Sequence, residues 1–330
     1  MKRDIRIDAL RALAILLIMF AHTRPPQWLY ELRDFDVILM TFILGSSYRL
    51  STERKNKPKP YFTYLKERFV RLIIPAWIFL TLFFLALFSF TLISGRPFPF
   101  SLKKIFTSYS LIWGVGYIWI IRVFFIIAIL SPILYWLARK MTRLLPQLGL
   151  IGVFLLLQKG LNALVALLSG TEQAVFEQYG AISFGYLLAA LVGMWAVRQS
   201  NKDNSILFIC FSLLFFITAS YQNLPSIEDN KYPPTIYFIS YGLAGSLLLF
   251  QFTSFQTIRK LLEKTPGINW LSQHSLELYY WHLFPIMYFN LYVAKDPWYL
   301  RFFIVFPVAF LLTIFQNRYL PHLFQPQKNK

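Results

Sequence analysis

Two residues of the first apolar stretch, Arg11 and His22, have side chains that could take part in catalysis. On a helix, about three turns and ~16 Å separate them, so they lie on nearly one face. A histidine titrating near neutral pH is suited to removing a proton from a hydroxyl group. Asp8 lies in the same cluster, and an elongated substrate could contact its members. The structural alternative is that Arg11 extends to lipid headgroups and His22 is an interfacial residue.

Two further clusters place ionisable groups inside apolar segments, where their desolvation is costly and a function is the default hypothesis. Tyr117 and Arg122 begin one such segment, and the guanidinium could hold an anionic group or support an oxyanion. Glu277 and His282 lie in another and could form a proton relay, a gate or a second base. The structural alternatives are an arginine beside an aromatic belt and an interhelical hydrogen bond.

The composition places these clusters in a membrane. Hydrophobic residues make up 57% of the 330 positions and charged residues only 15%, against about 25% charged residues in soluble domains. A crossing needs ~20 apolar residues. The fold class is therefore predicted to be all-α, a polytopic membrane helical bundle of about ten transmembrane helices. The predicted segments are Ala9–His22, Asp36–Leu50, Phe69–Ile93, Tyr117–Ala138, Leu148–Ser169, Tyr179–Val197, Ser205–Tyr221, Tyr232–Phe252, Ser275–Ala294 and Tyr299–Gln316.

The distribution of charge predicts the orientation of the bundle. The net charge is +18, with 33 Lys and Arg residues against 15 Asp and Glu residues. These basic residues fall between the apolar segments, so we expect the lipid bilayer as a partner and no nucleic acid. The flanks on the side of the N-terminus hold most of them, which predicts that the N- and C-termini are both cytoplasmic. Residues 1–330 are expected to form a single transmembrane domain with no appended soluble domain.

Several kinds of catalytic site lack support in the sequence. We find no metal-ligand spacing, no Gly-x-Ser-x-Gly elbow and no phosphate-binding glycine loop. The one cysteine, Cys210, lies in an apolar segment and cannot form a disulfide framework or a cysteine-based metal site. We therefore expect neither a metal nor covalent serine catalysis.

Four motifs, in order along the chain, resemble those of a known family. Arg6–Ala14, followed by His22, is similar to an Asp-x-Leu-Arg-Ala-x-Ala run with an Arg-x10-His spacing. Asp36–Gly45 resembles a second helix motif, Arg68–Pro75 an Arg-x-x-Arg-Leu-x-x-Pro entry to the third helix, and Ser275–Ile286 a late Ser-x-x-x-Tyr-x-x-His motif. The family is acyltransferase family 3, the integral membrane O-acyltransferases of the exopolysaccharide and O-antigen type.

The second motif departs from the family pattern at two positions. Leu44 stands where a serine is usual, and Ile38 where a proline is common. These departures predict a difference in the packing of that helix. They leave Arg11 and His22 in place.

The resemblance implies transfer of an acyl group, commonly acetyl, from acyl-CoA to a hydroxyl of a surface polysaccharide or a lipid-linked sugar. It implies that His22 deprotonates the acceptor and that Arg11 lies along the pantetheine arm. Arg68 and Arg71 would bind the coenzyme A phosphates. The residues expected to contact substrate are Tyr117, Arg122, Asp8, Glu277 and His282. The expected location is the bacterial cytoplasmic (inner) membrane.

Two functions of other classes stay open at the level of sequence. Arg11, Arg122 and the Glu277–His282 cluster could line the pathway of a transporter or flippase for a glycan or small anion. The chain could also be a non-catalytic subunit of a polysaccharide-synthesis machinery. Binding of acyl-CoA separates an enzyme from a transporter. The partners expected are a carbohydrate acceptor and a coenzyme A donor, with synthesis machinery or a homo-oligomer as further possibilities.

Overall fold

A computed structural model describes residues 4–54, 59–112, 115–293 and 296–324. This part of the chain is helical and contains no β-strand. Its first helices are α1 (Ile5–Ala21), α2 (Gln27–Leu32), α3 (Asp36–Glu53), α4 (Tyr61–Ser94), α5 (Leu102–Tyr109), α6 (Trp119–Lys140), α7 (Leu144–Leu167) and α8 (Gly170–Val175). The later ones are α9 (Ile182–Ala196), α10 (Asn201–Tyr221), α11 (Ile236–Phe252), α12 (Gln256–Lys264), α13 (Ile268–Gln273), α14 (Ser275–Trp281), α15 (Leu283–Tyr292) and α16 (Trp298–Tyr319).

The helices long and apolar enough to cross a membrane are fewer than predicted. Among the described residues there are six: Tyr61–Ser94, Gly116–Lys140, Leu144–Leu167, Gly170–Ala196, Asn201–Tyr221 and Trp298–Tyr319. The pair α11 and α12, bent by 82°, makes a seventh if it forms one span. The all-helical fold is confirmed, whereas the count of about ten crossings is not.

The difference lies in segments that are helical but short or interrupted. Helix α1 has 17 residues, fewer than the ~20 that a perpendicular crossing needs. The predicted segment Ser275–Ala294 is divided between α14 and α15, and its last residue lies outside the described part. The cytoplasmic placement of both termini remains a prediction, since residues 1–3 and 325–330 are outside the described part as well.

The chain folds into two compact units. The first unit comprises Met1–Ile18, Gln27–Pro58 and Ile129–Gln273, and the second comprises Met19–Pro26, Lys59–Ala128 and His274–Lys330. Helices α1 and α6 each contribute residues to both. The single domain over residues 1–330 remains a prediction.

The core of the first unit depends on close packing of α3 against α9. A Cβ atom added at Gly45 would lie 1.9 Å from the carbonyl oxygen of Ala190, and one at Gly193 would lie 2.0 Å from that of Phe42. Only glycine allows two helix backbones to approach this closely. Ser46 donates a hydrogen bond of 2.8 Å to the Gly193 carbonyl across the same contact. Gly45 of the second motif therefore has a packing role.

A buried ion-pair network ties two loops of the first unit together. Arg33 donates to Asp36 at 2.7 Å, and Lys231 contacts Asp34 at 2.5 Å. Burial alone would lower the pKa of Lys231, but Asp36 and Asp34 together raise it above its usual value. Two cations and two carboxylates balance here, as buried charges require.

Aromatic side chains and one polar bond organise the second unit. Phe79 of α4 stacks on Tyr280 of α14, with ring centroids 5.2 Å apart. The indole nitrogen of Trp281 donates to the Gln316 side chain at 2.7 Å and so joins α14 to α16. These contacts fix α14, which carries Glu277 and is followed directly by His282.

Candidate functional site

The late motif contains a helix break, and His282 lies at it. Helix α14 ends at Trp281 and α15 begins at Leu283. Pro285 follows in the first turn of α15, where the amide hydrogen that proline lacks would have no partner within the helix. The sequence thus favours a new helix start at this point. His282 itself is fully buried, with no exposed surface.

His22 lies in the turn that follows α1. Helix α1 ends at Ala21, and the Thr23 hydroxyl donates to the Phe20 carbonyl at 2.7 Å. Arg24 then adopts a left-handed backbone conformation with φ of 56°, which is costly for a residue with a Cβ atom. These features turn the chain sharply and leave the His22 side chain half-buried within the second unit.

His22 and His282 are hydrogen-bonded to each other. His22 Nδ1 lies 2.7 Å from His282 Nε2. The ring planes differ by 2° and their centroids are 5.0 Å apart. The centroid distance exceeds the Nδ1–Nε2 distance by the sum of the two ring radii, so both nitrogens lie on the line that joins the ring centres. The two parallel rings therefore meet edge to edge. His282 Nδ1 lies 3.1 Å from the carbonyl oxygen of Leu278. The structure therefore brings two of the predicted site residues together as one chain of hydrogen bonds.

Tyr117 forms a third side of this site. It lies in the 3₁₀ turn Gly116–Ile118, and its ring meets His22 edge to face with centroids 4.6 Å apart. The Tyr279 hydroxyl donates to the Tyr117 carbonyl, and the Asn290 amide donates to the Tyr117 hydroxyl at 2.8 Å. A hydroxyl that accepts from an amide must direct its own hydrogen elsewhere. Tyr117 is thereby positioned as a donor beside His22.

Two arginines hold the amide of Asn290. Its oxygen accepts hydrogen bonds of 2.8 Å from Arg24 and 2.8 Å from Arg301. An amide oxygen has two lone pairs, and the two arginines each donate to one of them. Arg301 also donates to both carboxylate oxygens of Asp296, and its hydrogen bond lowers the pKa of that carboxyl. The Asn290 amide is therefore fixed with its nitrogen toward Tyr117.

Arg11 and Asp8 form a separate cluster in the first unit. Arg11 donates to the Ser47 hydroxyl at 2.6 Å and to the Ser272 hydroxyl at 3.2 Å. Ser272 in turn donates to the Asp8 carboxylate at 2.7 Å, and Asp8 is buried. Arg11 Nη1 lies 3.8 Å from that carboxylate. The charge of Arg11 is thus balanced within the protein, and its contact with a donor substrate remains a prediction.

The remaining predicted residues of the second unit have contacts of other kinds. Arg122 is buried and donates to the carbonyl of Leu111, a residue with φ of 59°. Glu277 is buried, with His274 3.8 Å away. Arg122 therefore supports a strained loop, and its predicted contact with a substrate stays a prediction, as does that of Glu277.

Arg68 and Arg71 lie one turn apart on α4. Arg68 is half-buried over the Tyr64 ring at 5.1 Å, and Arg71 is exposed. Glu277 is close enough to interact electrostatically with Arg71. Two guanidinium groups on one helix face suit phosphate recognition, and their role toward coenzyme A remains a prediction.

A scan against protein families matches residues 4–316 to the acyltransferase 3 family, described as an acyltransferase domain. The chain belongs to the acyltransferase 3 family. Comparisons with curated proteins and with solved structures gave no significant match. Family membership together with the apolar helices makes this chain a multi-pass membrane acyltransferase.

Within the acyltransferase 3 domain, sequence reasoning missed Asn290 and the arginines that hold it. Arg24, Arg301 and Asn290 all lie outside the four motifs, with Arg301 near the start of the last predicted segment and Asn290 in an apolar helix. An amide inside an apolar segment is costly unless it is hydrogen-bonded. That cost alone could have identified Asn290 as a residue with polar partners. Among the described residues, no group of three or more His, Cys, Asp or Glu side chains is placed to hold a metal ion.

Proposed function

We propose that this membrane acyltransferase moves an acyl group, acetyl in the first instance, from acyl-CoA to a hydroxyl of a surface polysaccharide or lipid-linked sugar. His22 is the general base. The observation that carries the proposal is the hydrogen bond between His22 and the buried His282, in a chain matched to an acyltransferase family over residues 4–316. A half-exposed imidazole held by a buried partner is the usual arrangement of a base that must act in one orientation.

The reaction follows from direct attack on the thioester. His22 accepts the proton of the acceptor hydroxyl as its oxygen bonds to the carbonyl carbon of the acyl group. The tetrahedral intermediate then collapses, the carbon–sulfur bond breaks, and coenzyme A leaves as a thiolate. The proton on His22 passes to that sulfur, which regenerates the neutral base. General-base assistance of this kind contributes about 10²–10⁴-fold to the rate.

Other residues take binding roles in this proposal. The Tyr117 hydroxyl, which accepts from Asn290, donates to the acceptor sugar or to the thioester carbonyl. Arg68 and Arg71 bind the phosphates of coenzyme A, which is made in the cytoplasm. The enzyme works in the bacterial cytoplasmic membrane, where lipid-linked sugars are assembled and acyl-CoA is accessible.

The first experiment compares wild type with His22→Ala in nanodiscs, with radiolabelled acetyl-CoA and a pool of oligosaccharide acceptors. We expect label on the sugar with wild type and a decrease of at least about 10²-fold with the variant. His322→Ala, which changes an exposed histidine, is the matched control and should transfer label normally. Undiminished transfer by a folded His22→Ala protein would refute the role of His22. Failure of wild type to bind acetyl-CoA would favour a transporter.

A further inference from the structure

The hydrogen bonds around His282 determine where its protons lie. Its Nδ1 is 3.1 Å from the carbonyl oxygen of Leu278, and a carbonyl can only accept. Nδ1 of His282 must therefore carry a hydrogen. The same carbonyl also accepts the backbone N–H of His282 at 3.1 Å, and its two lone pairs allow both bonds.

The burial of His282 then determines its other nitrogen. The ring has no exposed surface, and an imidazolium there would lack water to stabilise its charge. A neutral ring with a hydrogen on Nδ1 has a lone pair on Nε2. That lone pair faces His22 Nδ1 across 2.7 Å, so His22 Nδ1 must be the donor.

The consequence reaches the reacting atom of His22. A neutral imidazole with its hydrogen on Nδ1 has its basic lone pair on Nε2. We propose that His282 is a positioning residue that fixes His22 as the Nδ1–H tautomer, so that Nε2 is the atom that accepts the proton of the sugar hydroxyl. This role rests on the proposed function of His22, and it replaces the contact with substrate that the sequence predicted for His282.

The proton movements balance in this arrangement. Nε2 of His22 takes the proton of the hydroxyl and later gives it to the sulfur of coenzyme A. The Nδ1–H bond of His22 persists throughout and keeps donating to His282 Nε2. When His22 is briefly an imidazolium, the neutral acceptor at His282 stabilises it, because a hydrogen bond from a charged donor is the stronger kind.

Two substitutions of equal polarity test this role. Glutamine at position 282 is long enough for its amide oxygen to accept from His22, whereas asparagine reaches only the Leu278 carbonyl. We expect His282→Gln to keep kcat within about tenfold of wild type and His282→Asn to lower it by about 10²-fold. Thermal unfolding in detergent should show that both variants fold, since either amide can donate to Leu278. Equal kcat for the Asn variant and wild type, beside an inactive His22→Ala protein, would overturn the proposal and leave the proposed function standing.

A spectroscopic measurement tests the tautomer without any turnover. The chain has 4 histidines, so ring-¹⁵N histidine labelling gives few signals, and His22→Ala identifies those of His22. In wild type we expect a protonated Nδ1 and an unprotonated Nε2 for His22. In His282→Asn the proton should shift toward Nε2, the preferred tautomer of an imidazole side chain in water. A wild-type His22 with its proton on Nε2 would overturn the assignment, whatever the activity.

Discussion

The Tyr117 hydroxyl accepts a hydrogen bond from the amide of Asn290. A single substitution at residue 290 would reverse the direction of that hydrogen bond. The Asn290 nitrogen donates to Tyr117, while its oxygen accepts from Arg24 and Arg301. A carboxylate there still accepts from both arginines but cannot donate. In Asn290→Asp, Tyr117 must therefore donate to residue 290 and loses its hydrogen for the substrate.

We expect Asn290→Asp to raise KM for the acceptor, or to lower kcat, by about tenfold, the effect of one lost hydrogen bond. Stability should stay the same or increase, since the new charge lies between two guanidinium groups. Tyr117→Phe should show the same loss, and the double variant should lose no more than either single one. Losses that multiply in the double variant would contradict a shared hydrogen bond.

At the residue scale, the sequence singled out three residues of the candidate site but neither their pairing nor Asn290. His22, Tyr117 and His282 stood out because polar groups in apolar segments are costly. Nothing local relates His22 to His282, which lie 260 positions apart. Asn290 escaped notice because a neutral amide contributes little to a charge pattern, although its three hydrogen bonds organise the site.

At the scale of elements, the contact between α3 and α9 depends on glycine. Gly193→Ala would place a methyl group 2.0 Å from the Phe42 carbonyl oxygen, and a backbone atom cannot rotate away as a side chain can. We expect a loss of stability of about 1–3 kcal/mol or more, measured as a lower thermal midpoint in detergent. Gly152→Ala on α7 is the matched control, since nothing lies within 4 Å of its added methyl.

The control should gain about 0.5–1 kcal/mol, because alanine restricts the unfolded chain more than glycine does. Equal midpoints for the two variants would mean that the helices can separate at no cost. That result would contradict the close packing of α3 on α9.

Hydropathy predicted where the helices lie more accurately than where they end or break. The segment Leu148–Ser169, interrupted by Lys159, is one continuous helix as far as Leu167, where α7 ends. By contrast, the segment Ser275–Ala294 breaks at His282, and hydropathy gave no sign of this because the flanking residues are equally apolar. The break coincides with Pro285 and with His282, whose ring contacts the nearby Leu278 carbonyl and also His22, 260 positions away. The proline is visible in the local sequence, whereas the contact between His282 and His22 is not.

At the scale of the whole molecule, the distribution of Lys and Arg residues predicts which loops face the cytoplasm and which face outward. Helix α10 is suited to testing this orientation, because it is a single apolar helix of 21 residues. Asn201 at its start and Gln222 just after its end are both exposed. The flank at its N-terminal end holds Arg198, before the helix, and Lys202, in its first turn, and is predicted to be cytoplasmic. The loop after it is predicted to face outward. Cys210 is the only cysteine, so Cys210→Ser provides a background without thiols.

In that background we expect Gln222→Cys to react with a membrane-impermeant maleimide added to intact cells. Asn201→Cys should react only after the cytoplasmic membrane is disrupted. A helix of about 30 Å that crosses the hydrocarbon core must place its two ends in different compartments. Labelling of both residues from outside would contradict the crossing of α10, and labelling of Asn201→Cys alone would reverse the orientation. The reversed outcome would also place Arg68 and Arg71 away from the compartment that supplies acyl-CoA, and the proposed donor site would fall with it.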